Sequence, residues 1–356
     1  AYFEIFFSWL RVNLKSIFGN FLKEVYPRVL TFVLLVSYAF QILDLDQFIN
    51  FLIGGYYLRL FTIMGYSFFV YTPNFHFKLP KSMMSLLRYS GLIFLSGTAA
   101  SFILDIDKSM IYSLTSDANV AFYAVAIYIA AVIEAPGRAM FQITSPLVAE
   151  ALNSKNKVRL ESLLKKSSIN LMIVSGLLFL IINLNLEDFY NIINQQGYES
   201  AIGVVVIVSL GKLFSMSMGC LNNIISNSKH YSYVFWFSVS SAILAVVLNY
   251  IFIKEYGMLG AAFATLIVII FINSCKILLV NYLFKIHPYS SKTLSVLLII
   301  SLIYIIIYFL PGIFNPWLSI PLRSLLIIGL FCIPLFRFSL SKEIETLFEK
   351  FIKRLF

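Results

Sequence analysis

Glu134, Arg138, Gln142 and Ser145 follow one another at steps of four, four and three residues, the repeat of one helix face. They lie inside an apolar run, 120–148, where an ionisable group is costly and marks a functional position by default. Such a face cannot look at hydrocarbon. Either Glu134 and Arg138 pair with each other at i, i+4, or the face lines a wet cavity. Pro136 stands between them and is expected to interrupt the helical ladder. A second stripe, Ser209, Lys212, Ser215, Gly219, Asn222 or Asn223 and Ser226, recurs every three or four residues in the run 201–226. Lys212 is near the middle of that run, which favours cavity lining over snorkelling to the interface. Asp105, Asp107 and Lys108 fall toward one end of the run 89–112, with Asp105 and Lys108 on one face. They read equally as interfacial or as cavity groups. Arg59, mid-run in 48–71, carries the same ambiguity. Lys276 and Arg323 read as snorkelling or structural cations.

Little else in the chain can do chemistry. His76, His230 and His287 sit in polar connecting loops, and Cys220, Cys275 and Cys332 lie in apolar runs without metal or disulfide spacing. There is no phosphate-binding P-loop and no Gly-rich dinucleotide turn, so no cofactor and no ATP-driven step is expected. General acid–base groups inside the apolar runs are too scarce to favour an enzyme.

The elements that carry these residues follow from composition. Of 356 residues, 60% are hydrophobic and 12% charged, with a mean hydropathy of +0.88. A soluble domain is about 25% charged and could not bury so much apolar surface. Disordered, collagen-like, disulfide-scaffold and nucleic-acid-binding classes are excluded with it. The apolar runs are long and unbroken, unlike the short alternating segments of membrane barrels. The chain is therefore expected to be an all-α polytopic membrane protein.

A spanning helix needs about 20 apolar residues. Ten spans are read: 29–43, 48–71, 89–112, 120–148, 169–188, 201–226, 233–253, 257–283, 293–312 and 317–338. Loop charge agrees with that count. Of 27 basic residues most fall in alternate connections, among them Arg28, Lys81, Lys157, Lys229, Lys285 and Arg337, whereas the opposite connections hold Lys254 and the acids Asp44, Asp117, Asp188 and Glu199. Basic loops mark the cytoplasm, so the C-terminus is expected there, and the net charge of +10 reflects those loops and anionic headgroups. Residues 10–22 and 340–356 have apolar residues at helical spacing opposite basic ones and are expected to lie on the membrane. Ala1 to Phe7 reads as the tail of an apolar helix whose earlier portion precedes this sequence. Gly257, Gly260, Ala261, Ala262 and Ala264 open one span and let helices approach closely.

Two stretches resemble a known family. Residues 103–168, containing "NVAFYAVAIYIAAVIEAPGRAMFQITSPLVAEAL", and 221–268, in which a polar helix end and basic turn lead to Asn249 and "YGMLGAAFAT", are similar to the polysaccharide biosynthesis, or O-antigen, flippases. These belong to the multidrug/oligosaccharidyl-lipid/polysaccharide (MOP) exporter superfamily. "NLKSIFGNFLKEVYPRVL" (13–30) also resembles members of the group. The resemblance implies two lobes of six helices around a central cavity, with two further C-terminal helices. Residues 1–28 would then be a cut helix end plus a cytoplasmic amphipathic segment. Residues 29–71 would be the last two helices of the first lobe, 89–283 the second lobe, 293–338 the additional pair and 339–356 the amphipathic tail. A weak repeat, a basic turn, an apolar run, an acidic turn and another run, at 23–71 and 229–283 fits two lobes.

The function the resemblance implies is transfer of an undecaprenyl-pyrophosphate-linked oligosaccharide from the cytoplasmic to the outer leaflet of the inner membrane. In that role Arg138, Lys212, Lys108 and Arg59 would offset the anion, with Gln142, Asn222 and Asn223 on sugar hydroxyls. Glu134, Asp105 or Asp107 would couple an ion gradient. Partners would be the lipid-linked oligosaccharide, membrane lipids and polysaccharide polymerase or export machinery, with no nucleic acid. The alternatives are a drug or metabolite antiporter of the same superfamily, a flippase for the peptidoglycan lipid precursor, and a membrane polymerase or acyltransferase.

Overall fold

The computed structural model describes residues 2–13, 15–72, 83–193, 197–310, 315–341 and 343–346. The loop carrying His76, the tail beyond Thr346, and the side chains of Asp105 and of several residues in 85–104 lie outside the described residues. Everything described is helix, turn or short connection, with no strand among the described residues. The chain forms two compact units, Ala1–Met83 and Met84–Phe356.

The first unit holds α1 (Tyr2–Val12), α2 (Ser16–Asn20), α3 (Tyr26–Ala39) and α4 (Leu45–Val70). A π-helical turn, Phe21–Val25, joins α2 to α3, so the chain is helical without a break from Ser16 to Ala39. The widened turn stands just before Pro27, which has no N–H to donate and crowds the preceding turn. Asp44 and Gln47 form a reciprocal capping box that starts α4. Phe7, Leu10, Leu22 and Ile63 are buried together, and the Phe18 ring lies 4.7 Å from that of Tyr66. The amphipathic segment 10–22 thus packs Leu10, Phe18 and Leu22 with Phe7 of α1 and with Ile63 and Tyr66 of α4, while Ile17 stays 87% exposed.

The second unit begins with α5 (Met83–Leu114), α6 (Asp117–Ala131) and α7 (Ala135–Asn153). The last two form one run interrupted by a 3-10 turn, Val132–Glu134, where Pro136 enters the ladder. Next come α8 (Lys157–Leu184) and α9 (Leu186–Ile193), then α10 (Ile202–Ser217) and α11 (Leu221–Asn227). The most deeply buried of the spanning helices is α8. Its Ser175 donates to the Ile133 carbonyl at 2.9 Å, satisfying a group at the proline break.

The run 201–226 was expected to be one span with one polar stripe. It is two helices instead. At Gly219 the backbone has φ +60, and a Cβ there would lie 2.5 Å from the Ser168 nitrogen and 2.9 Å from the Leu164 carbonyl. Only glycine takes that conformation at that distance without strain. The break is docked on α8: Ser168 donates to the Ser217 carbonyl at 2.5 Å, and the Cys220 N–H donates to Ser167 at 2.9 Å. The polar stripe therefore ends as a helix face at Ser215.

The rest is α12 (Ser232–Phe284), α13 (Ser291–Tyr308) and α14 (Pro316–Arg337). At about 1.5 Å per residue α12 would be roughly 80 Å long, far more than a bilayer core of about 30 Å. It bends at Gly257, with φ +57 and ψ −132, which divides it into the two spans read at 233–253 and 257–283. Among the described residues seven helices are long and apolar enough to cross a membrane, and the bent α12 makes two spans of one of them. The two other expected spans are helical as well: α3, only 14 residues long, and α5.

Two ends of this unit are fastened by polar contacts. Ile300, Ile303, Ile327 and Phe331 of α13 and α14 are buried against Met172 and Phe179 of α8. Arg323 pairs with Asp188 at 3.1 Å and donates to the Leu184 carbonyl at 2.7 Å, so it is a structural cation. At the other end Lys166 pairs with Glu343 at 2.8 Å, and Ser341 donates to Asn170 at 2.6 Å. The tail expected to lie flat on the membrane begins by burying Leu340 in the core. The Lys166 hydrogen bond holds the Glu343 carboxyl below the usual carboxylate range.

Candidate functional site

A hollow of about 400 Å³ lies within the second unit, walled by α5, α6, α7, α10, α11 and both halves of α12. That volume is in the range of ligand sites, about 300–1,000 Å³. Glu134, Arg138, Lys212, Asp107 and Asn222 all line it. The proline break places Glu134 on the 3-10 turn, and the glycine break at 219 ends α10 a few residues beyond Lys212.

Lys212 Nζ stands 3.0 Å from Glu134 Oε2, with the two side chains 15% and 31% exposed. Of the two readings of this face, the i, i+4 pair between Glu134 and Arg138 is therefore absent; Glu134 reaches across to another helix. Among the described residues Arg138 has no carboxylate within ion-pair distance. Its guanidinium is exposed at the hollow.

Asp107 is 8% exposed and accepts three hydrogen bonds. Tyr123 of α6 donates at 2.9 Å, Thr265 of α12 at 2.8 Å, and Asn249 on the other side of the bend at 2.5 Å. A buried carboxylate needs such partners. This one ties α5 and α6 to both halves of α12.

The remaining candidates go elsewhere. Lys108 does not line the hollow; its ammonium lies 5.6 Å from the Tyr128 ring centre. Gln142 is exposed away from it. Asn223 donates to the Phe141 carbonyl at 2.9 Å and to Thr144 at 3.0 Å, which joins α11 to α7. Arg59 belongs to the first unit, where its guanidinium stacks 3.8 Å from the Phe3 ring centre and borders a separate apolar pocket.

Lys276 also lines the hollow, where snorkelling or a structural role was expected. It has no carboxylate within ion-pair distance among the described residues, and the Phe237 ring centre is 5.9 Å away. Thr265, Ile269, Asn273 and Lys276 share one face at steps of four, four and three, a pattern present in the sequence but masked by the isoleucine. Asn273 donates to Ser215 at 3.0 Å across the hollow.

No family model matches the chain, and no curated protein matches it. Its fold is similar to that of a solved structure, the lipid II flippase MurJ in an inward closed conformation. The TM-score is 0.65 at 17% identity, over 96% of this chain and 72% of that one. The fold is thus all-helical and polytopic like that structure's, and the chain is a multi-pass membrane protein with a charged hollow inside its second unit.

Proposed function

We propose that this chain is a flippase for a polyisoprenyl-pyrophosphate-linked saccharide, moving its headgroup from the cytoplasmic to the outer leaflet of the inner membrane by alternating access. The observation that carries this is the meeting of Arg138, Lys212 and Lys276 at one hollow within membrane-spanning helices. Phosphate charges and sugar hydroxyls cannot cross hydrocarbon unaided. Cations on three helices offset the phosphates, Asn222 and Ser241 offer hydrogen bonds, and the polyisoprenyl tail stays in lipid. Glu134 and Asp107 are the carboxylates available to couple a proton or sodium gradient. The basic connections support a cytoplasmic C-terminus. Polymerase or export proteins would receive the product.

Two substrates fit this reading. The sequence resemblance favours an O-antigen or capsule repeat unit. The fold likeness to a lipid II flippase favours the peptidoglycan precursor, which carries the same kind of pyrophosphate lipid. A drug antiporter needs no set of cations at the hollow.

The deciding experiment is genetic. Deleting the gene is expected to leave a lipid-linked saccharide facing the cytoplasm, and the saccharide that accumulates identifies the substrate. Wild-type protein restores transfer and Arg138→Ala does not. Normal surface polysaccharide together with normal cell-wall synthesis in the deletion strain overturns the proposal.

A further inference from the structure

Three cations border the hollow, but they are not equivalent. Lys212 is already held by Glu134 at 3.0 Å. Arg138 and Lys276 come from α7 and the second half of α12, and neither has a carboxylate partner among the described residues. The other carboxylate at the hollow, Asp107, is committed to Tyr123, Thr265 and Asn249. The pair Glu134–Lys212 is neutral as a unit, so the cations of the wall without a carboxylate partner are Arg138 and Lys276; with the Asp107 carboxylate counted, three cations against two carboxylates leave the wall a net charge of +1. A pyrophosphate diester carries its two negative charges on two phosphorus centres, one for each of these cations, whereas a single phosphate has one centre, which Arg138 can hold without Lys276.

Resting on the flippase reading, we infer that the hollow selects a two-phosphate headgroup by exchange: Lys276 and Arg138 receive the anion, and the anion then displaces Glu134 from Lys212. Glu134 is thus an internal competitor, a carboxylate occupying the third cation until a stronger anion arrives. The exchange is favourable because a phosphate oxygen and a carboxylate oxygen make the same kind of charge-assisted hydrogen bond to an ammonium. The diphosphate brings two charged centres where Glu134 brings one. Lys276 sets specificity because it adds a contact from a helix that carries neither Arg138 nor Lys212.

The test uses the purified full-length protein in detergent, titrated calorimetrically with inorganic pyrophosphate and with orthophosphate at one ionic strength. Pyrophosphate is expected to bind about tenfold tighter or more, the step that one added charge contact of ordinary size gives. Lys276→Gln should remove most of that preference and leave orthophosphate binding nearly unchanged, with Lys276→Arg restoring it. Glu134→Gln should tighten pyrophosphate several-fold, a direction that a merely structural role would not produce. The same change in a Lys212→Gln background should have no such effect. If Glu134→Gln fails to fold, Glu134→Asp shortens the carboxylate and is expected to act in the same direction. Equal affinity for the two anions, or a Glu134 effect that persists without Lys212, overturns the inference. Anion discrimination without leaflet transfer in cells removes the flippase reading and leaves the site; transfer in cells without the Glu134 effect removes the site alone.

Discussion

Lys212 and Glu134 are 78 positions apart in the chain and 3.0 Å apart in space. Two irregularities place them there: the 3-10 turn ahead of Pro136 and the short α10 that ends before Gly219. Glu134 is left facing Lys212 rather than Arg138, and Arg138 has no carboxylate within ion-pair distance among the described residues.

The pair should behave as a unit in stability. Lys212→Met or Glu134→Gln alone leaves a charge at a partly dry wall and should cost about 1–3 kcal/mol, because the survivor loses its counter-charge. The double variant should lose less than the sum of the two. Thermal unfolding in detergent of all four forms gives the coupling directly, and strictly additive losses would contradict the pairing.

Gly219→Ala should be among the more damaging small substitutions in the molecule. The methyl would meet the Ser168 nitrogen at 2.5 Å, and alanine would be forced to φ +60. Strain of this kind costs about 1–3 kcal/mol before any clash. Gly329→Ala on α14, where a Cβ meets nothing within 4 Å, is the control and should be neutral or slightly stabilising. Comparable melting points for the two variants would show that the break is not required.

Asp107→Asn should destabilise by about 1–3 kcal/mol. The carboxylate accepts from three donors, and an amide turns two N–H bonds toward at least one of them. Thr265→Val removes a single donor and should cost less. Melting temperatures of the two variants in detergent rank these losses; an unshifted Asp107→Asn melting point would mean that the network is not holding the helices.

Acid should release the start of the tail. The hydrogen bond from Lys166 depresses the Glu343 carboxyl, so this contact adds stability at neutral pH, above the carboxyl's unfolded value. That contribution is lost as the pH falls through the depressed folded value. Hydrogen exchange over 339–346 should rise in acid and, at neutral pH, in Glu343→Gln. Identical exchange in wild type and Glu343→Gln at neutral pH would rule out a holding role.

Much of the fold could be read from the chain, because span length and loop charge are local properties. The interruption at Pro136 was visible for the same reason: proline lacks a donor wherever it stands. Gly219 was not, since a glycine in an apolar run reads as a packing residue until the neighbouring helix is known. The partner of Glu134 was left open because spacing shows what shares a face and not what stands opposite. Lys276 was passed over because isoleucine interrupts its face. Asn223 read like its neighbour Asn222, yet one turns to α7 and the other to the hollow.

Asn249 and Thr265 stand on opposite sides of Gly257, and both give their side-chain hydrogen to Asp107. The corner in α12 therefore has a brace as well as a pivot, and the brace is a carboxylate. Whatever draws a donor away from those two oxygens slackens the corner. Thr265 and Lys276 stand on one arm of that corner and Ser241 on the other, all at the same hollow. Shape and charge at this depth are one mechanical variable instead of two.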